Sequence, residues 1–323
     1  MWQGNPAGSR GWRGPAADFR LILNKAGREP PCYKSPKAHF SPIKGWHVLE
    51  IRSIVHPTDF SETSETAFTH ALRIAVAAKA ALTILHVASE PGADDWAAFP
   101  HVRRTLAHWG LMDESESPEA IHAKLGVLVR KVEMAPQSPL DGIRHFLRMH
   151  PADLVVLSTE ARQGVARWLS GSVAEEVARA THVPTLFVPA KARGFVDPMR
   201  GEVRLHHVLI PVDHDPKPAA AISTIMGFAH LLTGIDAEER LLHVGQRAPQ
   251  VERHAEPHRP LPVAMRKGDP VEAIIDVAND WPADLIGMPT AGHHGFLDAV
   301  RGSTTERVLR QAPCPVLAVP ARR

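Results

Sequence analysis

Apolar positions along this chain gather in short unbroken runs, and helix-spaced stretches separate the runs. Ile51-Arg52-Ser53-Ile54-Val55 is a β-branched run that ends at His56-Pro57-Thr58-Asp59, where proline removes a ladder donor. Ser61 is placed to cap a helix, with Ser64 and Glu65 in its first turn. Ala67, Ala71, Leu72, Ala75 and Ala78 then recur at spacings of three and four, a stripe of small residues suited to close packing on a sheet. Residues 81–87, ALTILHV, show no alternation and are predicted to be a strand buried on both faces, as in a parallel sheet covered by helices. Pro91, Pro100, Gly110 and Pro118 divide the next stretch, leaving helical pieces over 102–109 and 119–124. Residues 126–134 read as a third strand, Leu140, Ile143, Phe146 and Leu147 as a helix stripe, and Ala152-Asp153 opens a further strand. Strand and helix therefore alternate through five strands, the pattern of an α/β doubly wound parallel sheet.

The last part of that pattern is written twice. Residues 152–190 and 283–321 align without a gap over 39 positions with 15 identities, the mark of a duplicated unit. The second half repeats the rest in shorter form. His207-Val208-Leu209-Ile210-Pro211-Val212-Asp213 parallels residues 53–59 and keeps the Pro-x-Asp ending, and Leu241-Leu242-His243-Val244 echoes Leu85-His86-Val87. The second copy is 26 residues shorter between that histidine and the repeated stretch, so the two short helices have no counterpart and residues 246–262 are expected to be a plain loop. Residues 262–267 then form the third strand, and Gly268-Asp269-Pro270 caps a helix over 271–278. The organisation predicted is a tail over 1–49, a first domain over 50–190, a linker over 191–202, and a second, shortened domain over 203–321.

Composition adds little to this except at the N-terminus. The 44% hydrophobic and 22% charged fractions of the 323 residues are those of a globular protein with a sizeable core. No apolar run approaches the ~20 residues needed to cross a bilayer. The cysteines, Cys32 and Cys314, supply neither a disulfide framework nor a zinc site, and a cytoplasmic location fits. Residues 1–49 hold eight Lys/Arg against two Asp/Glu, whereas the remainder holds 29 against 33. The basic pI belongs to the tail, so the folded part is not expected to bind nucleic acid. With six Gly and six Pro, the tail is expected to be disordered, or else a basic arm for an acidic partner.

Ligands of open α/β sheets bind beyond the carboxyl ends of the strands, where strand order reverses. Two features of each half fall there: the Pro-x-Asp (Pro57 and Asp59; Pro211 and Asp213), and a loop ending in Gly-Ser at a helix start (Gly171-Ser172; Gly302-Ser303-Thr304). Free N–H groups, a hydroxyl and the positive helix end can hold an anion there, although serine in that place also serves as a simple cap. Twenty histidines invite a metal reading. Yet His206-His207, His254 with His258, and His293-His294 lie near no cysteine and in no HExxH helix. His86 and His243 read as core histidines of buried strands. No GxSxG or GxxxxGK[ST] motif occurs, and no nucleophile stands beside a base.

With strand, Pro-x-Asp, His-Val and Gly-Ser recurring in order, the chain resembles the universal stress protein (UspA) family in tandem two-domain form. The resemblance covers about residues 50–190 and 203–321. It implies five-stranded parallel sheets and, in the ATP-binding members, a phosphate loop Gly-x2-Gly-x9-Gly-Ser/Thr after the fourth strand. It also implies that Asp59 with Val87, and Asp213 with Val244, would hold the adenosine of ATP or AMP, Mg2+ accompanying ATP. The loop departs from that pattern. Copy one reads Ser158-x2-Ala161-x9-Gly171-Ser172, and copy two reads Pro289-x2-Gly292-x9-Gly302-Ser303. Side chains at glycine positions of positive φ cost roughly 1–2 kcal/mol, and Pro289 removes an N–H donor. The better site is therefore expected in the second domain, on Gly292, Gly302 and Ser303. Three readings follow: a nucleotide-sensing stress protein, an interaction module of the same fold with a protein partner still to be named, and, last, a slow ATPase. The resemblance further implies antiparallel pairing of the last strands (residues 185–188 and 316–319) into an intramolecular pseudo-dimer, with a homodimer also open.

Overall fold

The computed structural model describes residues 19–22, 49–88, 98–134, 138–159, 183–253, 256–290 and 304–320. In chain order the elements are β1 (Phe19–Ile22), β2 (Ser53–Thr58), α1 (Glu62–Ala78), β3 (Ala81–Val87), α2 (Val102–His108), α3 (Pro118–Leu125), β4 (Leu128–Met134), α4 (Pro139–Met149), β5 (Leu154–Ser158) and β6 (Thr185–Val188). The second half continues with β7 (His207–Pro211), α5 (Ala219–Thr233), β8 (Glu238–Val244), β9 (Glu252–Arg253), β10 (Glu256–Pro260), β11 (Val263–Arg266), α6 (Pro270–Asp280), β12 (Leu285–Thr290), α7 (Thr304–Gln311) and β13 (Val316–Pro320).

Both halves have the same sheet order. β4-β3-β2-β5-β6 and β11-β8-β7-β12-β13 are parallel five-stranded sheets with the first strand of each half at the centre, the doubly wound arrangement. The final strands join them: β6 and β13 pair antiparallel, with Phe187 opposite Val316 and Leu186 opposite Leu317. One continuous eleven-stranded sheet results, its eleventh strand being β1, antiparallel to β4 with Phe19 opposite Met134. A regular element in the tail departs from the sequence reading. A four-residue strand needs no helix-length run, and β4 would otherwise be an open edge.

Period-two alternation sorts the strand residues onto two faces. Ile54, Leu82, Leu186 and Leu317 meet α1 and α5 in one core, with Phe68, Ile74, Ile225 and Phe228. Val55, Leu85, Phe187 and Val316 lie in the other, with Ile143, Phe146, Ile274 and Val308 from the opposite helices. Each core runs through both halves.

Local rules set the helix starts. Ser61 accepts from Ser64 N at 3.2 Å as the cap of α1, and Asp269 accepts from Val271 N (2.9 Å) and Glu272 N (3.2 Å) as the cap of α6. The Ala-Asp that opens each repeated stretch is a clamp. Asp153 Oδ2 accepts from Arg52 N (2.9 Å) and Ser53 N (3.0 Å), and Asp284 Oδ2 does the same for His206 N (2.8 Å) and His207 N (3.0 Å). Each carboxylate thereby fixes the start of its half's central strand.

Two connecting segments are more ordered than their composition suggests. Residues 246–262, expected to be a plain loop, hold the β9–β10 ribbon, closed where Leu261 N donates to the carbonyl of buried Val251 at 2.8 Å. The linker is docked on the first half. His70 Nε2 of α1 accepts from Phe195 N (3.2 Å), Trp109 Nε1 donates to Pro198 O (3.0 Å), and Arg73 Nε donates to Gly201 O (2.8 Å).

Candidate functional site

In both halves the central strand lies between its neighbours only briefly on the side of the strand-order reversal. β2 pairs with β5 at Ile54–Leu154 and Val55–Val155, and β7 with β12 at Leu285–Val208 and Ile286–Leu209. Beyond those pairs no ladder joins the central strand to that neighbour, and this is the end at which open α/β sheets carry their ligands. Pro289 lies past that point, where β12 ladders with β13 alone, opposite Val319, so its missing N–H breaks no ladder to β7.

In the first half that strand end is occupied by the chain itself. Asp59 Oδ1 accepts from Ser61 Oγ (2.6 Å) and Ser61 N (3.1 Å), so the carboxylate is engaged in the helix start. Phe60 follows in a left-handed backbone conformation, φ 61°. That turn stacks its ring on His86 (centroids 4.1 Å apart), and buried Phe99 meets Phe60 edge-on at 5.0 Å. His86 Nδ1 donates to the carbonyl of Thr58 at 2.9 Å, and Val87 is buried beyond it.

The second half keeps the backbone device and changes the rings. Buried His243 Nδ1 donates to the carbonyl of Val212 at 3.0 Å, matching His86 on Thr58. Asp213 is 69% exposed, and its Oδ1 accepts from His214 N at 2.7 Å and lies 3.8 Å from His243 Nδ1. His214 takes the place of Phe60 and meets His243 edge-on at 5.5 Å. Its Nε2 donates to the carbonyl of Arg247 at 3.0 Å. Pro211 is half-buried at the end of β7, opposite Leu242, and Val244 ends β8 opposite Arg266, whose carbonyl accepts from Gly245 N at 3.0 Å.

Of the residues named from sequence, the fold brings Asp59 and Val87 to adjacent strand ends, and does so again for Pro211, Asp213 and Val244. Thr304 is the first residue of α7, which Arg307 pins to α6 through a two-pronged pair with Asp269 (3.0 and 3.1 Å). Gly171, Ser172, Gly292, Gly302 and Ser303 lie outside the described residues. Sequence reasoning read His86 and His243 as core histidines, and the structure finds His243 buried and His86 half-buried, each bonded to a backbone carbonyl. That reasoning missed His214. Its signal was an imidazole directly after Pro-x-Asp in one half, where the other half has Phe60.

Comparisons with known proteins agree with the fold. The model of the universal stress protein family matches residues 50–189 and 226–320, the second segment beginning after Asp213 and His214. A universal stress protein of Methanocaldococcus jannaschii is 29% identical over 143 residues, 42% of this chain and 81% of that protein. Among solved structures, a universal stress protein from Archaeoglobus fulgidus superposes with a TM-score of 0.54 at 18% identity, over 83% of this chain and 95% of that one. A putative universal stress protein from Pseudomonas aeruginosa gives 0.56 at 17% identity, over 84% and 94%.

Proposed function

The chain belongs to the universal stress protein family, and from that premise we propose that it is a stress-response protein whose second half binds an adenine nucleotide. The ligand is ATP with Mg2+, or AMP, and its binding biases a conformational or partner equilibrium. The observation that carries the reading is the contrast between two equivalent carboxylates. Asp59 is held by Ser61 beside a ring stack of Phe60, His86 and Phe99, whereas Asp213 stands 69% exposed beside an open strand end. An exposed carboxylate that no hydroxyl engages can accept from ribose hydroxyls, and Val244 at the end of β8 lies beside it for the base. The described residues thus fit the nucleoside end of the ligand. The phosphate end would rest on Gly292, Gly302, Ser303 and the start of α7, where a helix N-terminus favours an anion. Bound Mg2+ would neutralise phosphate charge.

The test is the nucleotide content of denatured, freshly purified full-length protein, followed by calorimetry with ATP·Mg2+ and with AMP. One saturable site per chain is expected, weakened at least about tenfold by Asp213→Ala, the loss of roughly one charge-assisted hydrogen bond. Asp59→Ala should leave it unchanged. A chain that releases no nucleotide and takes up neither ligand refutes the reading in favour of an interaction module.

A further inference from the structure

We propose that Asp213, His214 and His243 form a binding site for a borderline divalent transition-metal cation, Zn2+ in the first instance, at the carboxyl ends of β7 and β8. One donor atom from each of the three lies within 4.8 Å of the other two. The hydrogen bonds of the two rings leave each one nitrogen lone pair, which on His243 is not at Nδ1, the nitrogen 3.8 Å from Asp213 Oδ1, but at Nε2. A main-chain carbonyl only accepts, so His243 Nδ1, bonded to Val212 O at 3.0 Å, carries its proton, and Nε2 keeps a lone pair. His214 is the mirror case: Nε2 bonds Arg247 O at 3.0 Å, and Nδ1 keeps the lone pair. A carbonyl fixing one ring nitrogen while the other is free is the arrangement that orients metal-bound histidines and raises their basicity.

A second, independent feature protects one of those lone pairs. A Cβ on residue 245 would stand 2.5 Å from His243 Nε2, so glycine at 245 keeps a side chain off that nitrogen. Two imidazole nitrogens and a carboxylate oxygen suit Zn2+ and its first-row neighbours, with further positions open to water or another donor. A tetrahedral ion with bonds of about 2.0–2.1 Å needs its ligands about 3.4 Å apart. Exposed Asp213 can swing to close the gap, while buried His243 is the fixed point.

The first half serves as an internal control. It repeats the strand-end histidine and its carbonyl bond, but Phe60 replaces His214 and Asp59 is engaged by Ser61. The donor set therefore arises in one half alone among the described residues. The proposal does not depend on nucleotide binding, although both use Asp213.

The test is titration of full-length protein, stripped of metal by a chelator and free of nucleotide, with Zn2+ by calorimetry and with Co2+ by visible absorption. A saturable site and Co2+ ligand-field bands are expected. His214→Phe, which copies the ring pair of the first half, and Asp213→Asn should each weaken the site at least about tenfold, since even outer-shell changes cost 10–100-fold. Both residues are exposed, so unaltered thermal unfolding of the metal-free variants shows that the fold is kept. His206→Ala, at an exposed histidine away from the cluster, should change nothing. The absence of a saturable Zn2+ site, or a site equally tight in His214→Phe and Asp213→Asn, overturns the proposal. Calorimetry with ATP·Mg2+ on His214→Phe keeps the two readings apart, because lost Zn2+ with retained nucleotide supports the metal site and the nucleotide site alike.

Discussion

Acid should destabilise this protein through two buried imidazoles, and His70 allows the effect to be isolated. His70 is fully buried on α1, its Nδ1 donating to Thr66 O at 2.8 Å and its Nε2 accepting from Phe195 N at 3.2 Å. Protonation would put a second N–H where the site supplies only a donor. His56 on β2 donates from Nδ1 to Val156 O at 3.0 Å, and its buried Nε2 has no partner among the described residues. Burial, partly offset by those carbonyl bonds, pulls both rings from 6.5 down to about 4. The unfolded chain therefore binds more protons than the folded one between those values. Stability is complete above pH 6.5 and is lost as pH falls toward 4. A drop of that size is worth about 3 kcal/mol per ring in all, of which about 2 is already lost by about pH 5, above most carboxylate titration.

His70→Gln removes one of the two titrations while keeping an acceptor near the Phe195 N–H. It will lower stability at neutral pH, but the informative readout is the slope. Urea unfolding at a series of pH values should show the unaltered chain losing about 2 kcal/mol per pH unit near pH 5.5, and the variant about half of that. Burial raises Glu65 and lowers His150, so their contributions run in opposite senses, and both cancel in the difference between the two chains. Equal slopes would show that His70 is charged or solvated in the folded state, and would refute the reasoning.

Two further changes probe how the halves are joined. Gly201 has φ +67°, and a Cβ there would lie 2.6 Å from the Trp109 ring, so Gly201→Ala should cost at least about 1–2 kcal/mol by urea unfolding, from backbone strain alone. Phe187 is buried on β6 opposite Val316, so Phe187→Ala should cost about 3–5 kcal/mol. Because both cores run through both halves, that loss should appear as one shifted transition in calorimetry; a second transition left in place would mean that the halves unfold separately.

The parts of the fold that were legible in the sequence are those governed by neighbours in the chain. The strand runs at 53–58 and 81–87, the caps Ser61 and Asp269, and the repeated Ala-Asp could be read because periodicity, capping and duplication are local signals. What escaped depends on distant partners. Phe19–Ile22 is a weak strand signal interrupted by Arg20, and it becomes a strand because β4 presents an edge. The linker, rich in charge and turn residues, is ordered by His70, Arg73 and Trp109, three positions that nothing local marks as its partners. At the site, the place of Asp213 beyond its strand was visible, but the approach of His214 to His243 was not. It follows from the register of β7 beside β8 together with the turn after β7.

The duplication separates what the fold requires from what a site requires. Asp153 and Asp284 make the same two backbone bonds, and His86 and His243 reach the same carbonyl one residue before the strand-end aspartate. These are structural devices, and their recurrence implies no shared activity. Asp59 and Asp213 also recur, yet one is held by the hydroxyl two residues on and the other is exposed, so an aspartate after the first strand does not by itself define a binding site. The neighbours decide. Ser61 and Phe60 turn the first half's strand end inward upon its own helix and rings, whereas His214 leaves the second half's carboxylate facing outward with two imidazoles beside it. Exchange of residue 60 or 214 alone should therefore alter ligand binding without altering the sheet, because neither side chain supplies a ladder bond.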